Sequence, residues 1–197
     1  MECIIMSTIA VAKKNGIAAI GADTLTSCGE QQRERMEMYE GKSKLLAVGE
    51  STFAVMGNCS WPLVLTHYLP QMAETPALDS QQAIFNTFLD LHRALKEDYF
   101  LCPTEDKDDE FEPSQLNCLI ANPSGIYGID TLRSVLKFSM YYAMGAGDMY
   151  ALGAMRAVYP SAATAEEVVR AGLEAACYFD GSTGLPLEIR TVKLRVE

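Results

Sequence analysis

Three side chains in the first quarter of the sequence could together supply a nucleophile, a base and a positive charge. Ser7 comes just before a predicted strand, Asp23 ends the next strand, and Lys44 begins a later one. If all residues before Ser7 are removed, its hydroxyl and a free α-amine, with a pKa of about 8, belong to one residue. A nearby lysine can lower the pKa of the nucleophile, and a carboxylate can orient that lysine. The pattern therefore predicts a hydrolase whose activity depends on where the mature chain begins.

Each of the two partners also has a simpler explanation. Asp23 fits an aspartate that starts a turn, and Lys44 fits a solvated lysine at the end of a strand. Removal of an initiator Met6 would expose Ser7, whereas residues 1–6 left in place would block its amine. We therefore interpret residues 1–6 as an N-terminal extension or an incorrectly assigned start, and residues 7–197 as a single domain.

Hydrophobic periodicity and turn residues predict the elements that carry these side chains. Asn15-Gly16 predicts a tight hairpin, Asp79 and Thr164 predict helix caps, and the polar segment 27–43 predicts a loop or short irregular ribbon. Runs of strands alternate with pairs of helices, so we expect an α+β fold, a four-layer αββα sandwich of two antiparallel sheets flanked by helices. The predicted strands are 8–13, 17–22, 44–48, 52–57, 115–121, 125–129, 134–142 and 187–196, and the predicted helices are 60–69, 79–98, 148–158 and 165–178.

Composition argues against several classes of protein. A net charge of −10 disfavours nucleic-acid binding and attraction to anionic membranes, and the apolar runs are too short to span a bilayer. The six cysteines are scattered and the histidines number two, so we expect reduced thiols in a cytoplasmic protein, no metal and no cofactor.

The acidic segment 104–112 lacks the glycine of a calcium loop and predicts a solvated loop. The segment 145–148 predicts a tight turn into a helix, because its glycine spacing does not suit a dinucleotide loop.

An ordered set of short motifs resembles the β subunits of proteasomes, which belong to the N-terminal nucleophile hydrolases. The resemblance extends from Ser7 to about Val196 and is greatest to the small proteobacterial proteasome homologues. The interval between Asp23 and Lys44 is longer than in the family, which indicates an insertion within 27–43. The motifs that carry the resemblance are Ser7-Thr8-Ile9, Asn15-Gly16, Gly21-Ala22-Asp23, Gly41-Lys42-Ser43-Lys44-Leu45, Phe53-Ala54-Val55-Met56-Gly57, Met144-Gly145-Ala146-Gly147 and Asp180-Gly181-Ser182-Thr183-Gly184.

The resemblance implies a threonine-type endopeptidase with a serine nucleophile. Ser7, Asp23 and Lys44 would be catalytic, with Lys44 preferred to Lys42, and the backbone N–H of Ala54 would bind the oxyanion and hold substrate in extended form. Supporting positions would be Asp180, Thr183 and Ala146. The resemblance also implies protein or peptide substrates, self-association into single or stacked rings, and an ATP-dependent unfoldase as a candidate partner.

Departures from the family pattern keep other functions open. Ser7 stands where threonine is usual, Met6 stands where autolytic processing commonly requires glycine, and Ala146 stands where a serine helps to bind the free amine. Loss of that hydroxyl would suit a ring-forming structural paralogue that is inactive or weakly active. Hydrolysis of a small-molecule amide by the same chemistry is a third hypothesis.

Overall fold

The computed structural model describes residues 3–5, 7–28, 32–35, 39–72, 78–102 and 110–195, and only the backbone of 3–5, 27–28 and 32–35. Within these described ranges, seven strands precede the first helix, and the remaining strands and helices follow in alternating groups. A short 3₁₀ helix, Leu69–Gln71, extends α1. The elements are β1 (Cys3–Ile5), β2 (Thr8–Lys14), β3 (Ile17–Asp23), β4 (Leu25–Cys28), β5 (Gln32–Arg35), β6 (Leu45–Val48), β7 (Ser51–Asn58), α1 (Trp61–Tyr68), α2 (Gln81–Glu97), β8 (Asn117–Asn122), β9 (Gly125–Ile129), β10 (Val135–Phe138), β11 (Tyr141–Gly145), α3 (Asp148–Val158), α4 (Ala165–Phe179) and β12 (Leu187–Lys193).

The first sheet is built around the β2–β3 hairpin and has the order β11-β2-β3-β12. The hairpin turns at Asn15 and Gly16, whose φ angles of 52° and 75° lie in the left-handed region that this turn requires. Antiparallel pairing continues to Ile9 and Ala22, so the start of β2 and the end of β3 lie side by side. The hairpin predicted from Asn15-Gly16 is therefore confirmed, and it brings the segments around Ser7 and Asp23 together.

The second sheet has the order β10-β9-β8-β7-β1-β4-β5, and β6 also pairs with β7. The inner faces of the two sheets pack on each other through buried aliphatic side chains such as Ile9, Ile20 and Leu119. Helices α3 and α4 cover the first sheet, and α2 packs on the second. Two antiparallel sheets flanked by helices confirm the predicted αββα sandwich.

The strand predicted over 134–142 is wrong, because the chain changes sheets within it. Residues 135–138 form β10 beside β9, whereas residues 141–145 form β11 beside β2. The residues on both sides of the bend favour strands, so local pattern alone does not reveal it. The rings of Phe138 and Tyr142 stack across the bend with centroids 4.2 Å apart.

Two smaller differences concern a helix cap and a loop. Ser80, rather than the predicted Asp79, caps α2 by accepting a hydrogen bond from the Ala83 N–H, whereas the predicted Thr164 cap of α4 is confirmed. The predicted ribbon at 27–43 contains β5, and its residues 29–31 and 36–38 lie outside the described part of the chain. Residues 1, 2 and 6 of the predicted extension, residues 104–109 of the acidic segment, and position 196 of the last predicted strand also lie outside it.

Candidate active site

Asp23 lies beside the start of β2 because the β2–β3 register brings it opposite Thr8. Its Oδ1 accepts the Thr8 backbone N–H at 3.0 Å. Its Oδ2 accepts the N–H groups of Leu25 and Gly184 at 3.0 and 3.1 Å. The side chain is fully buried. Three backbone donors therefore fix the position of this carboxylate and compensate for its loss of hydration.

Lys44 reaches the same carboxylate from the start of the β6 segment. Its Nζ donates to Asp23 Oδ1 at 2.9 Å and to the Leu25 carbonyl at 2.6 Å. Lys42, the alternative in the same motif, instead places its ammonium 4.0 Å from the centre of the Tyr39 ring. Asp23 Oδ1 thus joins the lysine to the peptide unit that follows Ser7.

The pKa values of this pair shift in opposite directions. Burial lowers the pKa of Lys44, and the charge of Asp23 opposes that effect. Burial raises the pKa of Asp23, and the charge and hydrogen bond of Lys44 oppose that rise. Both shifts make the charged forms of Lys44 and Asp23 less favourable than they are in water. Lys44 therefore gives up its proton more readily than a lysine in water does.

Ser7 is fully buried, and its hydroxyl has no hydrogen-bond partner among the described residues. Its carbonyl accepts the N–H of Ala146 at 3.1 Å. The turn approaches so closely that a Cβ on Gly145, whose φ is +116°, would lie 1.8 Å from the Ser7 carbonyl oxygen. The Gly145–Ala146 turn therefore holds the Ser7 backbone without a hydrogen bond to the Ser7 hydroxyl.

A line of hydroxyl groups connects this strand with the segment after α4. Thr8 Oγ1 accepts the Gly147 N–H at 2.9 Å and lies 2.7 Å from Thr183 Oγ1. Thr183 donates its hydrogen to Asp180 Oδ2 at 2.5 Å, so Thr8 must donate to Thr183. Asp180 and Thr183 are thereby connected to the strand that carries Ser7, as is the Ala146 turn.

Ala54 occupies a different environment from the other predicted site residues. It lies within β7, paired with Leu45 on one side and Leu119 on the other, and it is fully buried. Its position therefore gives no support to the predicted oxyanion role. The C-terminal end of β7 differs, since Gly57 and Asn58 pair there with β1, directly upstream of Ser7 in the sequence.

The sequence did not single out Thr8 or the Leu25 carbonyl as parts of this site. The Thr8 side chain has no special spacing, and a backbone carbonyl carries no residue-type information. Cys177 was also missed: burial raises its thiol pKa to about 11, and the charges of Asp23 and Lys44 influence it as well. Only the β2–β3 register could have directed attention to Thr8, because it places that residue opposite Asp23.

The described residues give no indication of a metal site or a membrane span. They contain no group of three or more histidine, cysteine, aspartate or glutamate side chains able to hold a metal ion. In the same part of the chain, no helix is both long and apolar enough to cross a bilayer.

Comparison with solved structures identifies relatives over nearly the whole chain. Two structures of BPH, a bacterial proteasome homologue from Thiobacillus denitrificans, are 39% identical to this chain and cover 96% of it and 100% of their own length. Their TM-scores are 0.89 for the complex with epoxomicin and 0.90 for the other structure. Eukaryotic HslV from Trypanosoma brucei is 16% identical over 94% of this chain and 99% of its own, with a TM-score of 0.72, and shares the fold. No family model and no curated protein matches the sequence significantly. The identity and coverage shared with BPH show that this chain belongs to the family of proteasome-type β subunits.

Proposed function

We propose that the chain is an endopeptidase that uses Ser7 as an N-terminal nucleophile and hydrolyses peptide bonds of unfolded proteins. The single observation that carries this proposal is the position of Asp23 Oδ1, which binds both Lys44 Nζ and the Thr8 N–H beside a buried Ser7 hydroxyl that has no partner among the described residues. Family membership and the match to a relative bound to epoxomicin support the same chemistry. The proposal requires that the mature chain begin at Ser7.

The proposed reaction proceeds through an ester on Ser7. The Ser7 α-amine, through a water molecule, takes the hydroxyl proton while Oγ attacks the scissile carbonyl. The positive charge of Lys44, oriented by Asp23, stabilises the alkoxide. The amine then returns the proton to the leaving nitrogen, and the C–N bond breaks. Water, activated by the same amine, hydrolyses the ester and restores the hydroxyl.

The oxyanion formed in this reaction needs backbone donors, and Ala54 is poorly placed to supply one. We assign this role to N–H groups at the Gly57–Asn58 end of β7, next to the strand that precedes Ser7. One such donor is worth about 3 kcal/mol of transition-state stabilisation in comparable sites.

The strand before Ser7 indicates how a substrate would bind. Residues Cys3–Ile5 lie between β4 and β7 and pair antiparallel with both. An extended peptide can take the same place, because the flanking strands offer backbone groups to any sequence. The slot between β4 and β7 therefore supports binding of unfolded protein segments.

Mass spectrometry with an inhibitor tests the proposal. The purified protein should have a mass that begins at Ser7, and epoxomicin should add its mass to that residue. An epoxyketone offers two adjacent electrophilic carbons to a residue with both a hydroxyl and a free amine. Ser7→Ala should abolish both the adduct and the cleavage of unfolded casein. A protein that retains residues 1–6, or one that begins at Ser7 and does not react, would contradict the proposal.

A ring-forming structural paralogue is the second candidate, and Ala146 favours it. Its side chain offers no hydroxyl where the family uses one to bind the amine, and Ala146 contributes only its N–H to Ser7. The inhibitor experiment separates the two candidates, since a structural paralogue would assemble normally but form no adduct on an exposed Ser7.

We also propose that copies of the chain assemble with one another, as the family does in rings. An exposed aromatic patch on α3 and α4 supports this: the rings of Tyr150 and Phe179 have centroids 5.3 Å apart, and those of Tyr178 and Phe179 lie 4.8 Å apart. Tyr178 is 83% and nearby Met149 77% exposed, and exposed apolar patches of this kind mark protein interfaces. Tyr178→Asp should reduce the mass measured by light scattering, whereas an unchanged mass would exclude this patch from the assembly.

A further inference from the structure

A cavity beside Lys44 lies where a substrate side chain would enter the site. The cavity has a volume of about 530 Å³, and its walls come from the β6 segment and from the start of α1. Leu46, Pro62 and Leu63 provide an apolar lining, and Lys42 and Lys44 line the same space. This volume is sufficient for one large side chain.

Strand pairing places this cavity next to the substrate slot. On β7, Gly57 pairs with Ile5 of β1, and Ala54 pairs with Leu45 of β6. Val55 donates its N–H to the Lys44 carbonyl at 3.1 Å. Because β8 occupies the other edge of β7, β1 and β6 follow one another along the same edge.

A peptide that replaces β1 therefore meets Lys44 after one further residue. On β7, Met56 lies between Gly57, which pairs with Ile5, and Val55, which bonds to Lys44. The further peptide residue lies opposite Met56. It corresponds to the residue whose carbonyl Ser7 attacks. Its side chain is the substrate group nearest to the cavity. The cavity should consequently determine which residue is accepted on the amino side of the scissile bond.

Basic side chains outnumber carboxylates in the lining of this cavity, although the net charge of the chain is −10. Lys42, Lys44 and Arg190 line it together with one carboxylate, Glu40. Lys44 is paired with Asp23, but neither Lys42 nor Arg190 forms an ion pair with a described residue. Among the described residues, the ammonium of Lys42 contacts the Tyr39 ring, an interaction that does not neutralise its positive charge.

We propose that this cavity selects an acidic side chain, glutamate or aspartate, on the amino side of the bond that Ser7 cleaves, and that Lys42 is the main specificity determinant. The inference rests on the proposed peptidase activity. Lys42 supplies the charge, Arg190 reinforces it from β12, and the apolar wall accommodates the methylene groups of a glutamate. An arginine at the same substrate position would meet two like charges.

Three fluorogenic peptides that differ only in glutamate, leucine or arginine before the cleaved bond provide the test. We expect kcat/KM for the glutamate peptide to exceed that for the arginine peptide by at least about tenfold, since a charge pair that is partly shielded from water is worth more than 1.4 kcal/mol. Lys42→Glu should reverse this order. Lys42→Met, which keeps the length of the side chain, should remove the preference and retain cleavage of the leucine peptide.

The control reverses the same charge at a distance. Lys193 is exposed at the end of β12 that lies farthest from Asp23, so Lys193→Glu should leave the preference unchanged. Cleavage of all three peptides at similar rates, or faster cleavage of the arginine peptide, would overturn the inference and leave the proposed peptidase activity standing.

Binding to Ser7→Ala protein gives a second measurement that needs no turnover. Peptides that end in glutamate or arginine at the same position should bind with affinities that differ in the same direction, and Lys42→Glu should again reverse the order. Equal affinities would overturn the inference even if the protein proved to be inactive as a peptidase. Failure of the peptidase proposal is therefore distinguishable from failure of the specificity proposal.

Discussion

Lys44 Nζ lies 2.9 Å from Asp23 Oδ1, in an ion pair whose side chains are 1% and 0% exposed. Removing two charges from water is costly, and a buried pair seldom stabilises a protein more than apolar side chains of similar size would. This pair is nevertheless provided with three backbone N–H donors on the carboxylate. We infer that it is maintained for the chemistry beside Ser7 rather than for stability.

Removing the charge of Lys44 should therefore affect both activity and stability. Lys44→Met leaves a buried carboxylate without its partner, and we expect a loss of about 3–5 kcal/mol in the free energy of unfolding. Hydrolysis should fall below detection because nothing then stabilises the Ser7 alkoxide. Urea denaturation and peptide cleavage measure the two effects.

Lys96→Met is the matched control, because Lys96 pairs with Glu112 at the surface with 46% and 31% exposure. This change should cost less than about 1 kcal/mol and leave cleavage intact. If Lys44→Met retained the wild-type rate, Lys44 would have no catalytic role.

Gly145 should tolerate no side chain, since its Cβ would collide with the Ser7 carbonyl oxygen. Gly145→Ala is expected to destabilise the protein and to displace Ser7, with loss of epoxomicin labelling. Gly153 is a control within α3, where an added Cβ meets nothing within 4 Å. Gly153→Ala should stabilise the protein by about 0.5–1 kcal/mol. Labelling that survived in Gly145→Ala would mean that the turn does not hold Ser7 in place.

Thr8 should act as a positioning residue, since its hydroxyl connects the Gly147 N–H with Thr183. Thr8→Val leaves a buried N–H and a buried hydroxyl without this partner, which costs about 1–3 kcal/mol. We expect a lower kcat and a shifted pH–rate profile with little change in KM. Thr8→Ser, which keeps the hydroxyl, should restore both. A valine variant that lost stability but kept the wild-type pH profile would show a purely structural role.

The β2–β3 hairpin, and the position of Asp23 beside Thr8, could be predicted because they depend on local sequence and strand register. Asn15-Gly16 predicts the turn, and counting back along both strands brings Asp23 beside Thr8. The two-sheet sandwich followed from the alternation of strand runs with helix pairs. Lys44 was preferred to Lys42 from family resemblance, and the structure places Lys44 rather than Lys42 against Asp23.

Features that depend on tertiary context could not be predicted. The change of sheet between Phe138 and Tyr141 lies within residues that favour strands on both sides. The interior position of Ala54 depends on two partner strands that come from distant parts of the sequence. The pairing of β1 with β4 and β7 likewise has no local pattern, because three residues are too few to show one.

The polar cluster around His92 should make stability depend on pH. Arg133 donates to Ser114 Oγ, which in turn lies 2.9 Å from His92 Nδ1. Burial, together with the charge of Arg133, lowers the pKa of His92, although Glu112 opposes the shift. The unfolded chain therefore binds more protons, and stability falls as the pH drops below about 6.5.

Urea midpoints at pH 7 and pH 5 test this dependence. The wild-type midpoint should be lower at pH 5, and the difference should shrink in His92→Gln. His67 is exposed and bonds Tyr99, so His67→Gln should leave the difference unchanged. Equal pH differences in wild type and His92→Gln would exclude His92 as the source.

Ala146 is the position where one added oxygen should change activity without changing the fold. Its side chain is exposed, and its N–H holds the Ser7 carbonyl through the backbone alone, so Ala146→Ser should alter stability by less than about 0.5 kcal/mol. The new hydroxyl would stand next to the Ser7 amine and could fix it for proton transfer. We therefore expect faster epoxomicin labelling and a higher kcat. Ala146→Val, which adds bulk without a polar group, should give no increase. Equal rates in Ala146→Ser and wild type would show that Asp180 and Thr183 already position the amine, and that the missing hydroxyl is no reason to regard this chain as a structural paralogue.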